Sequence, residues 1–457
     1  MSTRKHRPNG FASVLALLLL CVLATLCVGL GALASNTLVQ ADNQTHVQGA
    51  TLAAESGMSF MLDALRKVRL PGDTTQATFL PNLAAALGTR LDGGPNLDGG
   101  TVTNTGTAVL VPSIALDDGS FSAQFSWVGP STVRLDVLGN CKGVSRRVAI
   151  QMTMVPKSAA VFDYGLASRG PIDISGSCVI RGVNNPAEAS VLSTTDSHVQ
   201  AITVGGNANI AGDLSTSGEG TSVGISGSPT IAGSSDPAVI QQHIHLGIDP
   251  PDWPVLDTSG LIPLAINTVD HHTNLNVDSM TNIRIKAGTN PNFTSDIIIN
   301  GVVYIEAPNQ VSFEGRATLN GLIVTQESAA PLTNCQIFFA GGVEALGVAA
   351  LPDTPQFAAV KQQTGTFILA PGFGVTFAGH VRAVNGTIAA DQLTFTGTAD
   401  GVVKGSILGL KDLPTSVGGN VEISIDRANA DPNPAGFLKS YALIVLPGTY
   451  AEVAGTP

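Results

Sequence analysis

Charge is scarce in this chain of 457 residues: Asp, Glu, Lys and Arg make up 12% of it, about half the roughly 25% usual in soluble proteins. Aromatic residues are equally thin at 5%, with two Trp and four Tyr, which leaves few platforms for stacking bases or sugars. Basic residues number 23 against 34 acidic ones, a net charge of −11. Phosphate binding needs clustered Lys and Arg, so no nucleic-acid partner is expected. No Walker A sequence, Rossmann fingerprint or H-E-x-x-H occurs, which argues against the nucleotide and zinc-hydrolase chemistry those motifs carry. What is plentiful is Gly, at 51 residues, and apolar side chains, at 44%. That is enough to bury a core, with too little self-repulsion for disorder. The balance points to a Gly-punctuated, β-rich exported protein, of two or three domains at roughly 100–200 residues each.

The N-terminus sets the expected compartment. Residues 1–10 (MSTRKHRPNG) form a basic leader with Arg4, Lys5 and Arg7 and no acid. Residues 11–34 are almost wholly apolar; as a helix they would reach about 36 Å, enough for the roughly 30 Å hydrocarbon core. The basic flank keeps the N-terminus cytoplasmic. The expectation is a single-pass inner-membrane protein whose bulk is periplasmic or surface-exposed. A signal peptide cut after Ala32-Leu33-Ala34 is the alternative, but its apolar region would exceed the roughly 7–15 residues usual there. In residues 35–70, Ala54, Met58, Met61, Leu62, Leu65 and Val68 recur at steps of three and four, the helical period, and Pro71-Gly72 makes a stop. One helix is therefore expected from Phe11 to about Leu70, apolar first and amphipathic after.

A basic leader ending in Gly10, then Phe11, then such a helix resembles a type IV prepilin or pseudopilin. More narrowly, Arg7, Gly10-Phe11 and the run from Leu15 to Leu20, with the later Ala53-Ala54-Glu55-Ser56-Gly57, resemble PilX-type minor pilins over residues 7–70. The resemblance implies a cut between Gly10 and Phe11 by a prepilin peptidase and methylation of the new Phe11 amine. It also implies other pilin-like subunits as partners through the helix, within the membrane and then in a filament. The carboxylate that major pilins carry early in the mature helix falls here at Leu15. A subunit lacking it resembles tip or initiator subunits more than a filament repeat.

Residues 73–156 carry a short helical stretch, Asn82–Leu91, then alternating segments at 121–129, 132–139 and 146–155 divided by turn residues. After a long helix, this resembles the small β-sheet region of pilins. Asp92-Gly93 and Asp98-Gly99 fit Asp-Gly turns better than a calcium loop. Cys141, Cys178 and Cys335 are too far apart for a metal pattern and allow one disulfide among them.

From residue 157 a template recurs: apolar-x-apolar-x-Gly-x-x-x-apolar-x-Gly, at 172–182, 202–212, 223–233 and 311–321, with looser copies at 375–386 and 393–405. Gly176, Gly206, Gly227 and Gly315 hold its first Gly; Gly182, Gly212, Gly233 and Gly321 hold its second. A period-two apolar pair makes a strand with one buried face, and Gly allows the tight or left-handed corner after it. Stacking such strands is the logic of a β-solenoid, and the copies resemble bactofilin-like or right-handed β-helix segments. A Gly-rich sandwich fits the alternation too. The fold class expected is thus mainly β with one long N-terminal transmembrane α-helix, a small β-sheet domain at 73–156, and an irregular solenoid head at 157–457. That head would be interrupted by insertions at 234–295 and closed by a C-terminal strand; 241–257 is expected to wrap over a solenoid face.

Chemistry is sparse on this template. His243 and His245 share one face of a strand, and Asp270, His271 and His272 follow 25 residues on. Together they are weak zinc candidates without a recognised ligand spacing. Hydrolysis of sugars would need two facing carboxylates beside aromatic subsites, yet Asp173 and Glu314 are the only acids in the strict copies, and neither Trp lies in one. Gly220-Thr221-Ser222-Val223-Gly224 matches G-x-S-x-G but enters a repeat strand rather than a helix. No catalytic residue is assigned, no cofactor is expected beyond a weak case for calcium or zinc, and the chain reads as non-enzymatic. The expected function is structural: a minor subunit of a type IV pilus or type II secretion pseudopilus displaying a solenoid. The alternatives are a membrane-anchored scaffold that self-associates, and, behind it, a periplasmic carbohydrate-active enzyme.

Overall fold

The computed structural model describes residues 11–453 apart from Asp73, Pro95, Asn96, Asp98, Pro130 and Asn429. Gly10 of the expected processing site and Asp98 of the Asp-Gly pair lie outside the described residues. The protein is mainly β with one long apolar N-terminal helix, and its chain divides into two units: residues 1–156 with 441–457, and residues 157–440.

The first unit is built on helix α1 (Phe11–Arg66). Residues 13–45 are exposed along their whole length. Burial begins only beyond His46, where Ala50, Ala54, Met58, Met61 and Leu65 place small and flexible side chains against a sheet at steps of three and four. The helix ends at Arg66, earlier than Leu70, because Leu70 is used instead in strand β1 (Leu70–Pro71). Helix α2 (Phe79–Leu91) and strands β2 (Thr103–Asn104), β3 (Ala108–Leu116), β4 (Gly119–Trp127), β5 (Thr132–Cys141) and β6 (Val144–Lys157) follow. β3 to β6 form an antiparallel meander. Its inward positions, among them Phe121, Phe125, Leu135, Val137 and Ile150, alternate with polar ones and are all buried. β3 carries Pro112 inside it, tolerated because its register with β4 shifts between Val111 and Ile114.

The C-terminal strand corrects the expected domain boundary. Ser440–Val445 lies between β1 and β6, and Ala451–Val453 pairs antiparallel with β6. The solenoid therefore ends at residue 440, and in chain order it is an insertion between two neighbouring strands of the first unit's sheet.

The second unit is a parallel 25-stranded solenoid. Each full coil offers three short strands, as in Leu166–Ser168, Ile172–Ile174 and Val179–Gly182. Its coils do not stack in chain order. Three coils climb from Leu166 to Thr230–Ile231 and reach Ile244–His245. The chain then crosses to the other end of the stack, restarts at Asn267–Val269 and climbs back. Its last coil, with strands Ile407–Gly409, Thr415–Val417 and Glu422–Ile425, pairs in parallel with the first, 166–182. This crossing explains the long gap between the third and fourth template copies. Only part of 234–295 is an insertion, because 267–293 supplies ladder strands.

The template glycines serve two purposes. Gly176, Gly206 and Gly227 have positive φ (+86°, +70°, +79°) and stack: a Cβ on Gly206 would come 2.5 Å from the Gly176 carbonyl oxygen, and one on Gly227 2.6 Å from that of Gly206. Gly315 has no positive φ. It is required by close approach, since a Cβ there would meet the Ser295 backbone at 2.3 Å. Gly182, Gly212 and Gly321 are hemmed by backbone in the same way, while Gly233 has positive φ and open space. Inside the lower coils Phe293, Phe313, Phe339, Phe377 and Phe395 form a ladder, with ring centroids 4.9–5.0 Å apart and planes within 12° of parallel. That spacing is the rise per rung of a sheet. Above Phe395 the ladder continues as Val417, Ile174 and Val204.

Candidate functional site

Two features stand out as candidates: the exposed half of α1 and a corner of the solenoid. Among the described residues, α1 is the one helix long and apolar enough to cross a membrane. Val14, Leu17, Leu20 and Leu30 are all at least 60% exposed, an apolar surface far larger than a soluble protein leaves uncovered. The lower half is held to its sheet by absent side chains. A Cβ on Gly57 would fall 2.5 Å from the Phe121 ring, and one on Gly139 would fall 2.3 Å from the Ala50 carbonyl oxygen. Glycine on both partners lets helix and strand backbones approach.

In the solenoid, the residues after one column of strands line up as the column does. Ala390 pairs with Gly409, Gly409 with Ser168 and Ser168 with Ser193, so Asp391, Leu410, Arg169 and Thr194 follow on successive coils at about 4.8 Å per rung. This corner spans the join between first and last coils. The crossing segment 246–266 passes over it, with Ile248, Trp253 and Leu256 packed against Leu192, Leu369, Leu408 and Phe437. It is tied down where Leu438 N–H donates to the Val255 carbonyl (2.7 Å) and Asp257 N–H to that of Gly436 (2.8 Å). Of the stretch 241–257 expected to wrap over a solenoid face, Ile244–His245 is instead a ladder strand paired with Leu214–Ser215, and it is the part from 246 on, with Ile248, Trp253 and Leu256, that lies against the face.

Between crossing segment and corner lies an open cleft of about 580 Å³. Its groups include Asp196, Glu327, Asp391 and Asp412 against Arg169 and Lys411, with Trp253 as one wall. The Arg169 guanidinium sits 4.9 Å over the Trp253 ring, and burial lowers its pKa. Asp391 is 6% exposed. Burial pushes its carboxyl above the usual aspartate value, opposed by the Gly372 N–H and Lys411 and assisted by Glu327. Its Oδ1 has no hydrogen-bond partner in the protein, and neither does Trp253 Nε1. At Asp412 burial acts upward too, but the hydroxyls of Ser197 and Thr195 and the nearby His198 outweigh it and hold the pKa low. The Ser197 hydroxyl donates to Asp412, with His198 Nδ1 2.7 Å away.

The histidine candidates do not converge. His243 Nδ1 lies 2.8 Å from Asp213 Oδ1 and His245 Nε2 3.3 Å from Asp213 Oδ2, at the end of the stack where the first run of coils finishes. Asp270, His271 and His272 follow Val269 at the opposite end, where Asp270 accepts the His272 N–H (2.9 Å) and the Thr273 hydroxyl (3.1 Å) in a turn. Among the described residues no group of three His, Cys, Asp or Glu is arranged to hold a metal. The five-residue zinc set is thereby corrected: adjacency in sequence straddles the crossing that separates its halves. Asp92 Oδ1 accepts the Val102 N–H at 2.8 Å, ten residues further along the chain. All five Cys are free, and burial pushes the Cys178 thiol up to about 11, away from thiolate chemistry. Gly224 lies in strand Ser222–Ile225 with no helix after it, so G-x-S-x-G is not a nucleophile elbow. The cleft went unseen in the sequence because Trp253 stands outside every repeat and Asp391 and Arg169 come to line one cleft only through the coil join.

No protein-family model matches the sequence, nor does any curated protein. Among solved structures, the competence-associated pilin ComZ from Thermus thermophilus aligns over 90% of this chain and 98% of its own, at 12% identity and a TM-score of 0.25. A superposition at that level adds nothing to the fold assigned from the strands themselves.

Proposed function

We propose that this chain is a membrane-anchored, pilin-like minor subunit that displays a β-solenoid head. The observation that carries it is the division of α1: an exposed apolar half, and a half that packs through glycine and alanine onto an antiparallel sheet. The first half needs a covering, and lipid followed by neighbouring helices in a filament supplies one. Insertion of the solenoid between β6 and Ser440–Val445 leaves that sheet intact, so a large head is carried without altering the packing element. In this reading the role is structural rather than catalytic, the PilX-like leader is processed between Gly10 and Phe11 by a prepilin peptidase, and a helix with Leu15 in place of an acid suits a tip or initiating position.

The test is recovery of the chain, at levels far below the major subunit, in filaments sheared from the cells that make it. Gly10→Val should hold it unprocessed in the membrane fraction. Its absence from sheared filaments, with the full amount left in the membrane, would instead favour an anchored scaffold.

A further inference from the structure

We propose that the head is built to open at the seam between its first and last coils, its two runs separating as intact halves that the crossing segment keeps together. The opening belongs to the solenoid alone and holds for any anchored display of it.

Elsewhere in the stack, paired strands lie about one coil apart in the chain, as Ile297 and Ala317 or Val191 and Leu214 do. Such neighbours are wound from one continuous stretch and part only by unwinding. At the seam Leu166 pairs with Ile407 and Ile172 with Thr415, and no loop of their own joins these strands. Bringing together segments so distant in the chain costs more entropy than winding the next coil. A stack is stabilised rung by rung through its nearest-neighbour interfaces, and cooperative units end where such an interface lacks support.

Side chains fasten the seam in place of the chain. Glu188 of the first coil accepts the Arg427 N–H of the last (3.2 Å), and Arg181 reaches Ser424 and Glu422. At another corner Asp412 of the last coil accepts the hydroxyls of Thr195 (2.8 Å) and Ser197 from the first run. Such polar fastenings at the surface release at small cost. The strap is of a different kind. Ile248, Trp253 and Leu256 of the crossing segment pack on Ala167 and Leu192 of the first run and on Leu369, Ala389 and Leu408 of the second, so apolar contact bridges both runs on that face. Opening the seam bares core residues such as Ile174 and Val417, which keeps the open form a minor one; it remains less costly than unfolding because every other rung stays paired. Each run also keeps its own link to the first unit's strands, through Lys157 before the first run and Ser440 after the second. The displayed head can thus yield without either run unfolding.

The experiment follows amide hydrogen exchange residue by residue in the full-length chain in detergent, by mass spectrometry with electron-transfer fragmentation, corrected for intrinsic rates. Ser175 and Ile407 donate their N–H groups across the seam, to the carbonyls of Val417 and Gly165; Gly205 donates to Ile174 within the first run, and Gln326 to Ile305 within the second. Ser175 and Ile407 should exchange at least about tenfold faster than Gly205 and Gln326. Glu188→Gln should speed the first pair by about a further tenfold, the effect of weakening hydrogen bonds to one buried charged group, and leave the second pair unchanged. Arg181→Ala, at a side chain more than half exposed, should act in the same direction to a lesser degree. Arg284→Ala, which removes an ion pair with Glu306 between consecutive coils, should leave Ser175 and Ile407 as they were. The proposal is overturned if the cross-seam amides of the parent exchange no faster than the other two, or if neither Glu188→Gln nor Arg181→Ala changes them. Equal acceleration of all four amides by those variants would also overturn it, because the head would then unfold as a whole.

Discussion

Glu188 accepts the backbone N–H of Arg427 at 3.2 Å, across 239 residues of sequence. The same carboxylate takes the Asn184 N–H (2.9 Å) and side-chain amide (3.0 Å). Beside it the Arg181 guanidinium reaches Ser424 and Glu422. These contacts clasp the first coil to the last, where no chain continuity holds them together.

The clasp predicts a pH dependence. Burial pushes the Glu188 pKa up, but the donors from Asn184, Arg427 and Asn185 outweigh it and hold the carboxyl below its ordinary range. A lowered folded-state pKa contributes stability that is present above the unfolded value and lost as pH falls through the folded one. Glu188→Gln should therefore lower the solenoid's Tm at pH 7, with the gap to the parent closing on acidification below about pH 5. Circular dichroism melts at several pH values check it; equal Tm at neutral pH would count against the clasp.

In the first unit, Gly57→Ala should destabilise helix packing by about 1–3 kcal/mol, because the added methyl must displace Phe121 or Val137. Gly31→Ala is the control, since a Cβ there meets nothing within 4 Å. Denaturant unfolding of the two variants should separate them, and equal midpoints would refute the close approach.

Within the solenoid, Phe339→Ala removes a ring stacked on both sides, at 5.0 Å from Phe313 and from Phe377. Loss of about 3–5 kcal/mol is expected, with Phe339→Leu recovering part of it. The exposed neighbour Phe338, at 39% exposure, should tolerate Ala within about 0.5 kcal/mol. The pair is compared by denaturant titration.

How much of this was legible in the sequence follows from range. The apolar run after Phe11 and the Gly spacing around Gly176, Gly206 and Gly227 are local patterns, repeated wherever the same environment repeats, so helix, strands and corners could be read. Strand β3 was hidden by Pro112, which normally marks a strand's end. The boundary at residue 440 and the order of the coils were not legible, because parallel pairing of Ile407–Gly409 with Leu166–Ser168 is set by which coil ends remain open, and no local pattern records that. The same lack of range led to His243 and Asp270 being grouped, and left Asp391, Arg169 and Trp253 apart.

The central claim, entry into a pilin-type assembly pathway through α1, is tested most directly by the mature N-terminus, read by mass spectrometry of protein taken from its native membrane. The account predicts a chain that begins at Phe11 with a methylated amine. A chain beginning at Ser35, or one retaining Met1, would contradict it.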